Sequence, residues 1–248
     1  MGCRRRGGPE PRSRGRKQHN VEVTAAIFDI DGTLVDSVDL HAKAWMEALA
    51  HFGYKIPFEQ VRHEIGKGSD KLIPDLIGEE EAKRVFEDLD EFRGKLWKSQ
   101  YFEHVKAFPK VRELFERIES DGKQIVLASS AKGDELKKYK QIAGIDDLIE
   151  EETSSDDVGQ SKPSPDVVHA ALAKLGNPDR AAVVMVGDTP WDVMAAVKAQ
   201  VKTIGVLCGG FAEEELRAAG AIAIYRDPAD LLENYDASPF AEKDAKAA

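Results

Sequence analysis

Six short apolar runs constrain this chain more than any other feature: TAAIFDI (24–30), QIVLASS (124–130), DLIEEE (147–152), AVVMVGD (182–188), KTIGVL (202–207) and AIAIY (221–225). Most are continuous rather than alternating, the pattern of strands buried on both faces. Helix-like segments follow at 132–142, 164–175, 190–199 and 211–219. That rhythm predicts an α/β fold in which a parallel sheet is wrapped by crossover helices in three layers, α/β/α. In such sheets ligands gather beyond the carboxyl ends of the strands. The residues that leave those ends are the ones to inspect.

One interval breaks the rhythm. Between the first run and the second lie almost a hundred residues, in which amphipathic segments at 37–52, 57–65, 69–77 and 79–102 are punctuated by Gly53, Pro57, Gly66, Gly68 and Gly78. We read 37–104 as an inserted all-helical cap, with the core formed by 21–36 and 105–236 and a C-terminal tail over 237–248. Because the insert leaves just after the first run and returns near Phe108-Pro109, it can sit over that run's end as a lid.

A chain of 248 residues with 42% apolar side chains can bury one sizeable core and a smaller appendage. No apolar run approaches the roughly 18 residues that span a bilayer, and the N-terminus lacks the apolar middle of a secretory signal, so the expected location is cytoplasmic, without a membrane partner. The two cysteines, Cys3 and Cys208, are too few for a disulfide framework and read as free thiols. Residues 1–20 hold seven of the 35 Lys+Arg and one of the 45 Asp+Glu, which leaves 28 against 44 for the rest. Such a Gly-, Pro- and Arg-rich stretch cannot repay its ordering entropy and is expected to be a disordered basic tail. Its Arg6 stands where a myristoylation signal needs Ser or Thr. The acidic body argues against a nucleic-acid partner, and an anionic ligand would need a cation to offset the local field.

Chemistry concentrates where the runs end. AAIFDIDGTLVDS (25–37) drives a buried strand into Asp29 and Asp31, two carboxylates that repel unless a cation or proton intervenes. A hard divalent ion such as magnesium takes oxygen ligands of this kind, and Gly32 permits a tight turn after the pair. In VVMVGDTPWD (183–192), Pro190 suits the first turn of a helix, so Asp188 leaves the strand edge with Asp192 one turn away. Plain helix capping explains that pair equally well on its own. In VLASSAKGDEL (126–136), Ser129 and Ser130 read either as a phosphate seat or as a serine cap. In SKPSPD (161–166), Pro163 holds Lys162 extended before a helix, as a solvated lysine or as a cation that neutralises developing charge.

Taken together, DIDGT, ASS, SKP and GDTPWD resemble the four motifs of the haloacid dehalogenase-like superfamily of phosphate-transferring enzymes, in order and over about residues 23–235. The resemblance implies a Rossmann-like core. It implies that Asp29 is a nucleophile forming an aspartyl-phosphate, and that Asp31 protonates the leaving oxygen and then activates water. Ser129, Ser130 and Lys162 would hold the phosphoryl group, with Gly32 and Thr33 beside it. Magnesium would be bound by Asp29, the Asp31 carbonyl and Asp188, with Asp192 supporting directly or through water. The expected partner is a small phosphorylated metabolite, and the expected state a monomer.

The carboxylate at Asp31 speaks against dehalogenation. A helical insert between the first two motifs is similar to the branch holding phosphoglycolate phosphatase-like enzymes and β-phosphoglucomutase. His41, ten residues past Asp31, matches a hinge histidine of the mutase branch found in many phosphatases too, and equally reads as a helix-surface residue. The fourth motif fits the phosphatase pattern GDxxxD, which favours hydrolysis over a mutase; a non-catalytic binding module is the third reading. In the cap, IGKGSDKL (65–72) offers Lys67 and Lys71 to a second anionic group, or leaves them solvated. Arg93, Lys95 and Lys98 read as the wet face of the long cap helix.

Overall fold

The computed structural model describes residues 21–129, 131, 133–149, 151–153 and 159–241; the basic stretch 1–20, Ser130 and residues 242–248 lie outside them. Strand β1 (Ala25–Phe28) leads through the short β2 (Val35–Asp36) into four helices, α1 (Val38–His51), α2 (Phe58–His63), α3 (Ser69–Ile77) and α4 (Glu79–Leu96). The helix expected over 79–102 is α-helical to Leu96 and continues as a π-helical segment at Trp97–Tyr101. The chain returns through β3 (Lys106–Ala107), antiparallel to β2, with Val35 opposite Ala107. This two-strand ribbon is the stem on which the cap leaves and rejoins the core.

From there helices and strands alternate: α5 (Val111–Ser120), β4 (Gln124–Ala128), α6 (Gly133–Ala143), β5 (Glu151–Thr153), α7 (Asp166–Lys174), β6 (Val183–Gly187), α8 (Pro190–Lys198), β7 (Lys202–Val206), α9 (Glu213–Ala219), β8 (Ala223–Tyr225) and α10 (Pro228–Glu233). Six strands form one parallel sheet in the order β5-β4-β1-β6-β7-β8. The strand expected over 147–152 begins only at Glu151, because 146–148 form a turn in which Arg112 grips Asp147 through two hydrogen bonds, 2.7 and 2.9 Å. The sequence reading leaves out α5 and α10. Yet α5 carries a buried stripe of Val111, Leu114, Phe115 and Ile118 at helical spacing.

Strand alternation divides the apolar side chains between two layers. Phe28, Leu127 and Val186 face a cluster with Phe115, Leu136 and Tyr139. Ile27, Val126 and Met185 face α7 and α8 through Val168, Leu172 and Ala196. Each large side chain so buried contributes about 1.5–3 kcal/mol, which anchors the strand ends against the mutual repulsion of the acids they carry. The register sets Phe28 level with Leu127 on one side and Val186 on the other, so β1, β4 and β6 end side by side. The cap has a separate core built on Trp45, Leu49, Val61, Leu72, Ile73 and Leu89. It packs over the carboxyl edge of the sheet: Arg62 donates to the Gly209 carbonyl at 2.9 Å, and the Gly66 backbone lies so close to Thr189 that a Cβ there would sit 2.7 Å from its methyl carbon. Among the described residues no helix is long and apolar enough to cross a membrane.

Candidate active site

Asp29 follows β1, and its backbone N–H donates to the Val186 carbonyl at 2.9 Å, which ties the residue to the end of β6. Asp188 follows β6. Asp192 lies in the first turn of α8, inside a capping box in which the Thr189 N–H and hydroxyl both donate to its Oδ2, at 3.1 and 2.6 Å. Carboxylate oxygens of Asp29, Asp188 and Asp192 lie within 4.8 Å of one another, and all three residues are buried. The capping reading of GDTPWD is met through Asp192 Oδ2, and the other oxygen, Oδ1, is left to face the buried cluster and accept from Lys162.

Lys162 is the cation in this cluster. Its side chain, 2% exposed, donates to Asp29 Oδ1 and to Asp192 Oδ1, the latter at 2.7 Å. Burial works against its charge, but the two carboxylates hold its pKa above the usual lysine range. One ammonium does not balance three acids. Burial lifts the Asp29 carboxyl to about 7 despite Lys162 beside it. Burial, then the like charges of Asp192 and Asp29, push Asp188 well above the ordinary carboxylate range. Thr33 donates to Asp188 Oδ1 at 3.0 Å, while Asp188 Oδ2 is buried with no hydrogen-bond partner.

That orphaned oxygen sits in a space kept clear by two glycines. A Cβ on Gly32, whose φ is +83°, would fall 2.3 Å from it, and one on Gly209 would fall 1.7 Å away. An unpaired carboxylate oxygen, two neighbouring acids and an all-oxygen donor set fit a small hard cation such as magnesium.

Asp31 turns the other way. Its Oδ1 accepts from the Ser37 hydroxyl at 2.5 Å and lies 2.9 Å from His41 Nε2, so its side chain stands apart from the three-acid cluster. Burial opposes its charge, and the donations from His41 and Ser37 outweigh it and hold the carboxyl low. His41 itself is buried, and burial pushes its ring below the usual histidine range. Ser129 is buried too; its Oγ accepts from the Ala131 N–H at 3.0 Å, a local turn rather than the cap of α6.

A cavity of about 520 Å³ opens between this edge and the cap, reached by Asp29, Asp31, Ser129 and Lys162 from below and by Arg93 and Lys98 from above. Lys67 borders it as well, but its ammonium is gripped by Glu64 and by Asp75 at 2.7 Å and lies 4.0 Å over the Trp191 ring. Lys71 points to Gln160 at 3.4 Å. Lys95 and Lys98 are exposed, as expected of a wet face. Arg93 corrects the expectation: it turns inward, with Nη2 donating to His41 Nδ1 at 2.5 Å and its guanidinium carbon 5.0 Å from the Trp45 ring. The reason is the aromatic wall of Trp45 and Trp97, which shelters a planar cation better than solvent-facing helix surface does. Sequence reading also missed Ser37 and Tyr139, which surround the Asp31–His41 pair; a single serine and a single tyrosine carry no spacing signal.

Residues 26–206 match the family model of the haloacid dehalogenase-like hydrolases. Among curated proteins, a phosphoglycolate phosphatase of Yersinia pestis is 29% identical over 214 residues, 85% of this chain and 92% of that protein. The pyrophosphatase PpaX of Bacillus velezensis is 28% identical over 184 residues, 74% of this chain and 83% of that one. Among solved structures, a hydrolase from Pseudomonas syringae superposes with a TM-score of 0.78 at 31% identity, over 86% of this chain and 98% of that one.

Proposed function

The chain belongs to the haloacid dehalogenase-like hydrolases, and from that premise we propose that it is a magnesium-dependent phosphatase that hydrolyses a small phosphorylated metabolite through an aspartyl-phosphate. The observation that carries the reading is the unpartnered Asp188 Oδ2, buried beside Asp29 and Asp192 with one lysine among three acids.

Asp29, Asp188 and the Asp31 carbonyl would hold the ion, with Asp192 supporting them. When bound, magnesium would neutralise the carboxylates and the phosphoryl oxygens, which removes the repulsion between nucleophile and substrate. Lys162 keeps Asp29 oriented and supplies a fixed positive charge where the transferring phosphoryl group gains negative charge. The Asp29 carboxylate attacks phosphorus, and the bond from phosphorus to the leaving oxygen breaks as that oxygen takes a proton from Asp31, which must carry this proton into the closed site against the pull of His41 and Ser37 on its carboxyl. In the second half Asp31, now a carboxylate, takes a proton from water as the water attacks the aspartyl-phosphate, which returns Asp29 free and releases phosphate. Ser129 and the backbone at Gly32 and Thr33 seat the phosphoryl oxygens. The cap excludes bulk water from the cavity while this proceeds.

Pyrophosphate and phosphoglycolate, the compounds in the relatives' names, each place a second anion near the phosphoryl group. Arg93 and Lys98 supply positive charge on the cap side of the cavity. Lys67 would meet such a group only by leaving Glu64 and Asp75. The test is phosphate release across a panel of phosphorylated metabolites, with magnesium, with chelator, and with Asp29→Asn. Release should require the metal and fall by about 10⁴-fold or more in Asp29→Asn. Activity that survives both treatments would overturn the assignment.

A further inference from the structure

Resting on that hydrolytic reading, we propose that the substrate is a long phosphomonoester whose leaving group ends in a second anion, and that Lys137 and Lys138 hold this anion in a separate cavity beyond Lys98. This second cavity, of about 420 Å³, lies where the cap rejoins the core and is lined by Lys98, Phe102, Glu135, Lys137, Lys138 and Gln141. Lys98 and Glu135 also line the catalytic cavity, so the two spaces share a wall. That wall is weakly held. The Lys98 ammonium stands 3.9 Å from a Glu135 carboxylate oxygen, too far for a hydrogen bond, and the lysine side chain is 55% exposed. An exposed pair at that distance contributes little and gives way to an entering anion, which Lys98 can then accompany.

The side chains beyond the wall suit an anion. Of the described residues lining this cavity three are lysines, and Glu135 alone is acidic. Lys137 and Lys138 are consecutive on α6 and both exposed. Lys138 is steadied by the Phe102 ring, with its ammonium 5.3 Å from the centroid. Phe102 is in turn packed against Trp97 and Tyr139, with centroids 5.8 and 5.2 Å away, so this cation rests on a fixed surface. Lys98 lies in the π-helical segment Trp97–Tyr101, a local widening of the kind that recurs at functional sites. Pyrophosphate and phosphoglycolate, with about nine non-hydrogen atoms each, are small beside even the catalytic cavity of about 520 Å³. A longer leaving group uses both spaces, with its phosphoryl end at Asp29 and its far end among the α6 lysines.

The experiment uses the full chain with magnesium and a series of alkyl phosphates that end in a phosphonate, which leaves one hydrolysable ester, with spacers of about two to eight carbons. Each is paired with the plain alkyl phosphate of the same length. For long spacers kcat/KM should exceed that of the plain ester by about 10-fold or more, and for the shortest the advantage should be smaller. The variant carrying both Lys137→Gln and Lys138→Gln should lose this advantage, read as the ratio of the two esters on the same protein. Calorimetry with long alkane bisphosphonates, which are not hydrolysed, should show affinity about 10-fold weaker in the double variant than in the wild type. No advantage at any length overturns the proposal, as does an advantage that persists in the double variant. So does one reproduced by adding free alkylphosphonate to the plain ester, which would make the cavity a site for a separate anion. Absence of phosphate release from every ester overturns the hydrolytic reading instead, and the bisphosphonate affinities then still report on the second cavity.

Discussion

The sheet edge and the cap face each other across one cavity with opposite kinds of side chain. Below are short groups rooted in the ends of buried strands: Asp188 and Asp192 are 0% exposed, and Asp29 is pinned through its own backbone to β6. Above are long cations on helices and a loop, such as Lys98, 55% exposed and 3.9 Å from Glu135, and Lys67, clasped by two acids of the cap itself. Reactive groups must stay within a fraction of an ångström of their working positions, and short side chains on an anchored sheet do that. Groups that choose among substrates can be long and adaptable, because discrimination by a surface cation needs charge in reach rather than a fixed vector. On the proposed reading the edge of the sheet would carry the chemistry and the cap the recognition, with Arg62 and Arg93 the cap cations that reach furthest toward that edge.

If that division is right, substitutions should lose effect from the edge upward. Lys162→Met should be the most damaging, with kcat reduced about 10²- to 10³-fold for the loss of a fixed charge. It also strands Asp29 and Asp192 without their buried cation, so the metal-free protein should lose about 3–5 kcal/mol in a urea titration, and magnesium should stabilise the variant more than the wild type. Gly209→Ala should cost about 10²-fold in kcat, since a methyl group 1.7 Å from Asp188 Oδ2 must displace that carboxylate; circular dichroism should show the fold retained. Lys67→Met should cost least. Removing its contact with Trp191 forfeits about 0.5–1 kcal/mol, visible as a change in tryptophan emission and a shift in KM larger than any in kcat. A Lys67 effect as large as that of Lys162 would erase the distinction between the two halves.

The same division explains what the sequence disclosed. A strand end is legible because an apolar run stops at a polar residue: Asp29, Ser129 and Asp188 could each be placed at one edge from the alternation of runs and helices alone. Asp192 was legible through Pro190 and the turn that follows it. Arg93 was not. It sits between Glu91 and Lys95 on a helix rich in charge, and the packing of Trp45 and Trp97 decides that this one turns inward. Lys67 shows the same limit, because its partners Glu64 and Asp75 and the ring of Trp191 meet only once the cap is folded onto the core. Helix α5 was readable from its apolar stripe, while the β2–β3 ribbon, two residues per strand, is too short to leave a periodic signal.

The central claim is that acids from two strand ends and one helix share a single divalent ion. Calorimetric titration of magnesium into the chelator-treated wild type and into Asp188→Asn tests it most directly. One ion per chain should bind the wild type, and Asp188→Asn, folded by circular dichroism, should show no binding at the same concentrations. Equal affinity and stoichiometry in the two proteins would contradict the account.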